Sequence, residues 1–197
     1  PGDKVLLVTI GVFGDRFGQI AEAYGAKVIK LQVPLGMAVR PEQVRQALKA
    51  DPEIKAVLIT HNETSSGIMN PVDGISEVVK KYPDVLWLVD CVSSMAGAKV
   101  EVDRLGIDVC ITSSQKALAL PPGLALCSIS PKAEERFNKI GSRGYYLDLK
   151  NLVKYIDKKD HQYPSTPSLS HMFALDFQLD RIIKEGIEQR FTRHMEM

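Results

Sequence analysis

Short apolar runs alternate with amphipathic segments along this 197-residue chain, and this alternation constrains the fold more than any other feature. The runs VLLVTI at 5–10 and LWLV at 86–89 are continuous and rich in branched side chains, which is typical of buried strands. Between them, Ile75, Val78 and Val79 fall on one face of a helix. Buried strands separated by such helices predict a three-layer α/β/α fold around a mostly parallel sheet.

The same pattern predicts the individual elements. Strands are expected at 5–10, 27–33, 56–60, 86–89, 109–112 and 124–129, and helices at 13–24, 41–50, 71–82, 132–140, 149–158 and from 168 onward. The chain opens without a Met and stops inside a helical pattern, so we expect a segment of a longer protein.

Composition excludes several classes of function. Lys and Arg total 25 against 24 Asp and Glu, so a polybasic nucleic-acid binder is not expected. No apolar run approaches the ~20 residues that span a bilayer, and the first residues do not show the pattern expected of a signal peptide. Cys91, Cys110 and Cys127 are too few and too widely spaced for a disulfide framework, and we expect buried thiols in a cytoplasmic protein, with other compartments left open.

Polar sequence follows four of the predicted strands. These loops cover 11–14, 60–67, 90–94 and 112–116. Because ligands of parallel α/β sheets bind beyond the carboxyl ends of the strands, four polar loops at one edge predict a small-molecule site.

Two charged residues stand out in these loops. Lys116 is the only charged residue between Val109 and Leu126, so we expect its amine to be partly desolvated and usable as a nucleophile. Asp90 ends an apolar strand, and its carboxylate there needs a cation or several hydrogen-bond donors. The alternatives are a surface lysine and an aspartate that accepts bonds from Ser93 and Ser94 in its own turn.

Other motifs carry less weight. Gly11, Gly14 and Gly18 follow a strand as in a dinucleotide-binding loop, but their spacing is GxxGxxxG and the next strand lacks the acidic residue. His61 and Glu63 form an HxE pair without the cysteines of a zinc deaminase, so no metal is expected.

Taken together, the motifs resemble the class V (fold type I) aminotransferases that use pyridoxal phosphate, most closely the alanine–glyoxylate and serine–pyruvate group. The matching stretches are THNETSSG at 60–67, VDCVSS at 89–94, GID at 106–108, SSQKAL at 113–118, PPG at 121–123 and YPSTP at 163–167. The resemblance implies the large cofactor domain at 1–160, and at 161–197 an interface loop and helix that lead toward a small C-terminal domain.

The resemblance also implies roles for individual residues. Lys116 would form the internal aldimine, and Asp90 would keep the pyridine nitrogen protonated. Phe13 would stack on the cofactor ring and Val92 would pack on its other face. The remaining cofactor contacts would be Thr64 at the phenolic oxygen, Gln115 at the phosphate, and Tyr163 and Thr166 at the phosphate of a neighbouring subunit, which implies a homodimer.

The implied reaction is transamination from alanine or serine to a keto acid such as glyoxylate or pyruvate. The family's first phosphate-binding turn and its substrate-carboxylate arginine would lie outside this chain. Donors such as aspartate or an aminophosphonate remain open, and so does a non-catalytic dimerising domain. Cysteine desulfurases are disfavoured because they usually carry His where Phe13 and Gln115 stand.

Overall fold

The computed structural model describes residues 1–141, 144–157 and 162–197. Its strands are β1 Lys4–Thr9, β2 Lys27–Gln32, β3 Ile54–Thr60, β4 Asn62–Glu63, β5 Ile68–Met69, β6 Leu86–Asp90, β7 Val109–Ser113 and β8 Ala125–Ile129. Its helices are α1 Val12–Ala23, α2 Pro41–Ala50, α3 Val72–Val79, α4 Val102–Leu105, α5 Pro131–Asn138, α6 Leu149–Ile156, α7 Leu169–Glu185 and α8 Ile187–Glu196.

Six of these strands form one sheet in the order β2-β1-β3-β6-β7-β8. All neighbours pair in parallel except β7 and β8, which are antiparallel. The predicted α/β fold with a mostly parallel sheet is therefore confirmed. The consecutive parallel strands β1, β3, β6 and β7 bring their carboxyl ends to one edge, where ligands bind in sheets of this kind.

Alternate side chains of the central strands supply two apolar layers. On one face, Leu6, Val57 and Trp87 pack with α2, α3 and α4 in the larger core. On the other face, Leu7 and Leu58 pack with α1 in a smaller cluster. The strands are apolar on both sides because helices lie on both sides.

The segment from 168 onward, which was predicted as one helix, forms the two helices α7 and α8. Gly186 separates α7 from α8 with a φ of 87°, a left-handed value that glycine adopts without a steric penalty. The break turns α8 so that Arg190 contacts the loops after β6 and β7. Among the described residues, no helix is long and apolar enough to cross a membrane.

The three cysteines do not share one environment. Cys91 and Cys110 are buried, as expected, but Cys127 is exposed. The expectation of a buried Cys127 was wrong because β8 is the edge strand, and helices do not enclose it on both sides as they do the central strands. The boundary expected at 160/161 lies outside the described residues and stays a prediction.

Candidate active site

The four strand-end loops converge, and hydrogen bonds join them directly. The backbone N–H of His61, after β3, donates to the carbonyl of Asp90 at 2.8 Å. The N–H of Cys91, after β6, donates to the carbonyl of Ile111 in β7, also at 2.8 Å. The predicted juxtaposition of the loops is confirmed.

Side chains of the β3 and β6 loops meet at Ser93. Its hydroxyl donates to the carbonyl of Asn62 at 2.9 Å and accepts from the side-chain amide of Asn62 at 3.1 Å. Thr64 Oγ1 lies 3.3 Å from Ser93 Oγ. The exposed Thr64 is therefore held beside the loop that begins at Asp90, and its predicted contact with a cofactor stays a prediction.

Asp90 is a half-buried carboxylate with few donors. Its Oδ1 accepts the N–H of Val92 at 2.8 Å, and its Oδ2 lies 3.4 Å from Thr60 Oγ1. It does act as a turn acceptor, although for Val92 rather than for Ser93 or Ser94. Burial raises the pKa of this carboxyl, and the bonds from Val92 and Thr60 offset only part of the effect. Within the described ranges, no cation pairs with Asp90 at ion-pair distance.

A second carboxylate, Glu63, is fully buried at the start of α1. Its Oε2 accepts the backbone N–H groups of Phe13 and Gly14 at 3.0 and 2.9 Å. Its Oε1 accepts from the N–H and hydroxyl of Ser65 at 3.1 and 2.6 Å. Burial acts to raise the pKa of Glu63, but these hydrogen bonds outweigh it and hold the pKa below its ordinary value.

The position of Glu63 argues against a dinucleotide-binding site at the start of α1. A dinucleotide fold presents the free N–H groups of a helix start to a pyrophosphate, whereas here a carboxylate of the chain already accepts them. The glycines serve close packing instead, since a Cβ at Gly14 would lie 3.0 Å from the Cα of Thr9 and a Cβ at Gly18 would lie 2.4 Å from Leu7 Cδ2.

Phe13 and Val92 are half-buried side chains at this edge. The guanidinium carbon of Arg16 lies 5.2 Å from the centroid of the Phe13 ring, within the range of a cation–π contact. Val92 follows Asp90 by two residues and is anchored by its N–H bond to that carboxylate. Packing of the two side chains on opposite faces of a cofactor ring stays a prediction.

A hydrogen-bonded turn presents Lys116. The hydroxyl of the fully buried Ser114 donates to the carbonyl of Pro121 at 2.7 Å and lies 3.3 Å from the N–H of Leu124. The N–H of Ala119 donates to the carbonyl of Lys116 at 2.8 Å, and Ala119 has a φ of 57°. The turn is therefore closed both across its base and at Lys116 itself.

Lys116 is exposed, so the expectation that the turn desolvates its amine was wrong for this chain. Its neighbours before and after are uncharged, but the residue lines an open cavity of about 580 Å³. Ala117 and Ala119 of the same turn also line the cavity, and the remaining lining residues come from α7 and α8: Gln178, Arg181, Glu185, Arg190, Arg193 and His194. The lack of charged neighbours in the sequence therefore did not predict whether Lys116 is buried.

The remaining predicted ligands are exposed. Gln115 precedes Lys116 in the same turn, and Tyr163 and Thr166 lie in the segment before α7. Their predicted contacts with a phosphate stay predictions.

Three buried polar residues were not predicted as part of the site. His61 is buried with Nδ1 2.9 Å from Ser94 Oγ, and burial lowers its pKa to about 4. No cluster of three or more His, Cys, Asp or Glu side chains that could hold a metal ion is found among residues 1–141, 144–157 and 162–197. The other two buried polar residues are Glu63 and Ser114. All three could have been found in the sequence, because each is a polar residue within three positions of the end of a buried strand.

The structure thus places a half-buried carboxylate and an exposed lysine at the carboxyl edge of a mostly parallel α/β sheet. A family model described as aminotransferase class V matches residues 1–196, and the chain belongs to this family. The family depends on pyridoxal phosphate.

Individual relatives cover nearly the whole chain. It is 48% identical over 98% of its length to an uncharacterized aminotransferase of Methanocaldococcus jannaschii, and 41% identical over 98% to a protein of Anabaena cylindrica named soluble hydrogenase 42 kDa subunit. The crystal structure of an alanine–glyoxylate aminotransferase from Nostoc sp. matches all of the chain with a TM-score of 0.93 at 31% identity. The chain spans about half the length of these proteins: 50%, 51% and 52%.

Proposed function

We propose that this chain forms the cofactor-binding part of an aminotransferase that moves the amino group of alanine or serine to a keto acid such as glyoxylate or pyruvate. Asp90 carries the proposal, because it is a half-buried carboxylate with no ion-pair partner among the described residues, on the same sheet edge as the Lys116 turn. Membership of the class V family and the similarity to the Nostoc structure support it.

The residues present fit pyridoxal phosphate. Among the described residues, Asp90 Oδ2 is engaged only by the Thr60 hydroxyl 3.4 Å away, so it retains capacity to accept a hydrogen bond from a protonated ring nitrogen. The hydroxyls of Ser66, in the loop after β3, and of Ser113, the last residue of β7, are buried without a hydrogen-bond partner in the part of the chain that the structure describes, as is the indole N–H of Trp87 in the core. Buried hydroxyls of this kind are normally satisfied, so they favour a polar ligand at this edge.

When bound, pyridoxal phosphate supplies a ring that accepts electron density from the α-carbon of the substrate. In the proposed mechanism, Asp90 holds the proton on the ring nitrogen. Lys116 Nζ would hold the cofactor in the resting enzyme. Once the amino group of the substrate had displaced it, the freed amine would take the α-proton and return it later in the cycle. Phe13 and Val92 orient the ring, and Thr64 binds its phenolic oxygen.

The phosphate is proposed to bind at Gln115 and, from a neighbouring subunit, at Tyr163 and Thr166. Tyr163 is 61% exposed, so its ring is accessible to a second copy of the chain. This arrangement makes the active unit a homodimer. Substitution of Tyr163 by Phe is expected to weaken cofactor binding without changing the fold.

The direct test is transamination by the complete protein supplied with pyridoxal phosphate. Alanine or serine with glyoxylate or pyruvate should react, and Lys116→Ala should lower the rate at least ~1000-fold because the nucleophile and proton carrier is lost. Lys49→Ala, which removes an exposed lysine at the end of α2, is the matched control and should retain the parental rate. A Lys116→Ala variant with near-parental turnover contradicts the proposal.

The donor panel also includes aspartate and an aminophosphonate. A faster reaction with either one would identify it as the preferred amino donor in place of alanine and serine. The proposed role of Lys116 would be unchanged.

A second candidate function is that of a non-catalytic subunit in a larger assembly. The name of the Anabaena relative, at 41% identity, favours it. It predicts a folded dimer that neither reacts with any donor nor retains pyridoxal phosphate on Lys116.

A further inference from the structure

Arg190, on α8, is a buried charged side chain that contacts the backbone of the Lys116 turn. It is 5% exposed, although arginine is rarely buried without specific partners. The residue is 73 positions from Ala117 in sequence, so local pattern gives no reason for its burial. Its hydrogen bonds supply the reason.

Its guanidinium bonds to three acceptors. Nε donates to the carbonyl of Ala96 at 2.8 Å, and Nη2 donates to the carbonyl of Ala117. Nη1 donates to Glu185 Oε2 at 2.8 Å. A planar fork with fixed donors can satisfy this set, whereas a single ammonium cannot reach all three acceptors in the same geometry.

The two carbonyls belong to the two loops that carry the proposed chemistry. Ala117 is the residue after Lys116. Ala96 lies in the loop that begins at Asp90, and it has a φ of 66°, a left-handed conformation that is uncommon for a residue with a side chain. Arg190 therefore bonds to the backbone of both loops from one rigid helix.

The loops also approach each other closely at this point. A Cβ placed on Gly97 would lie 2.9 Å from the Cβ of Ala117, so the glycine permits a contact that other residues would obstruct. Glu185 fixes the guanidinium from the other side and is itself shared with Arg193, whose Nε donates to Oε1 at 2.7 Å. The bonds from Arg193 and Arg190 lower the pKa of Glu185 to about 2, so it remains an anion across the physiological range.

We propose that Arg190 is a positioning residue that fixes the Lys116 turn against the loop that follows Asp90. It does not contact the reacting atoms. It sets the separation between the loop that carries the amine and the loop that carries the carboxylate. The inference rests on the proposed function for the roles of Lys116 and Asp90, but the contact between the loops is testable without it.

The first test is hydrogen exchange in the complete protein without cofactor. Arg190→Lys should raise the exchange rates of the Ala119 and Leu120 amides, which close the Lys116 turn, by about tenfold relative to amides of β1 and β3 in the same sample. Arg181→Lys is the matched control, because Arg181 is exposed and lines the same cavity without bonding to either carbonyl. Its turn amides should exchange at the parental rate.

Turn amides within twofold of the parental rates in Arg190→Lys, or an equal rise in Arg181→Lys, overturn the proposal. If Arg190→Lys does not fold, Glu185→Gln takes its place, because it leaves the guanidinium present while removing the anion that orients it. That variant should raise the same two rates by a smaller factor, and unchanged rates overturn the proposal in that case.

The second test is capture of pyridoxal phosphate by borohydride reduction. The rate of attachment at Lys116 should fall about tenfold in Arg190→Lys and remain parental in Arg45→Lys, whose arginine is exposed on α2 away from the cavity. Parental attachment in both variants overturns the proposal. If no variant, including the parent, attaches the cofactor, the proposed function fails while the exchange experiment still decides whether Arg190 fixes the turn.

Discussion

The carboxylate of Glu63 lies 2.9 Å from the backbone nitrogen of Gly14 and accepts its N–H, so the start of α1 is capped by a residue from the loop after β3. This contact joins the first and second loops of the site. It also fills the position at which a helix start would otherwise bind an anion.

Glu63→Gln tests this contact. Both oxygens of Glu63 accept from N–H donors, so the amide group of Gln must face a donor whichever way it turns. We expect a loss of about 2–3 kcal/mol in the free energy of unfolding at pH 7, measured by urea denaturation. Glu77→Gln, at an exposed position on α3, should change it by less than about 0.5 kcal/mol.

The pH dependence of this loss has a defined sign. The pKa of Glu63 is lowered in the folded chain, so its contribution is present above the ordinary value of 4.5 and is lost as the pH falls through the folded pKa. The stability difference between parent and Glu63→Gln should therefore shrink below pH 4.5. A difference that is constant down to pH 3 would mean that the charge of Glu63 is not what stabilises the contact.

Asp90→Asn should separate stability from function. Burial raises the pKa of Asp90, so the folded chain favours the protonated carboxyl over the ionised one. The stability gained from the protonated form is complete below the ordinary pKa of 3.8 and is lost as the pH rises through the folded pKa. At pH 7 the ionised carboxylate therefore destabilises the folded chain. Asn can still accept the N–H of Val92. In the cofactor-free complete protein at pH 7, we expect the unfolding midpoint to rise by about 1–3 °C.

The same variant should lose transamination activity by several orders of magnitude, because a neutral amide cannot hold the proton on the ring nitrogen. Thermal unfolding and turnover measured on one preparation would show both effects. A variant that is less stable than the parent at pH 7 would contradict the interpretation of Asp90 as a carboxylate without an ion-pair partner among the described residues of the cofactor-free protein.

Ser114→Ala tests the base of the Lys116 turn. The substitution leaves the carbonyl of Pro121 and the N–H of Leu124 without the hydroxyl that joins them. Loss of these buried bonds should cost about 1–3 kcal/mol in the free energy of unfolding. Ser128→Ala on the exposed strand β8 is the control, and equal effects of the two variants would show that the turn is not held through Ser114.

Much of the fold could be predicted from the sequence because strand and helix periodicity is local information. The apolar run that forms β6 and the apolar face of α3 follow directly from side-chain spacing. The convergence of the strand-end loops followed from parallel order alone. The break at Gly186 was missed because a single glycine inside a helical pattern is compatible with either continuation or interruption.

The site was predicted less completely, because burial and long-range partners are not local. Lys116 has uncharged neighbours in sequence, yet it lines an open cavity together with residues of α7 and α8. Arg190 gave no signal, since its acceptors at Ala96 and Ala117 are distant in the chain. Glu63 was given no role beyond a rejected metal motif, although its position three residues after the end of an apolar strand favoured burial.

Lys116 is the residue to which we propose that pyridoxal phosphate becomes attached. The most direct measurement is borohydride reduction of the complete protein with the cofactor, followed by peptide mass mapping. We expect a pyridoxyl group on the peptide that contains Lys116 and its disappearance in Lys116→Ala, with Lys49→Ala labelled as in the parent. A stoichiometric pyridoxyl group on any other lysine, or none at all, would contradict it.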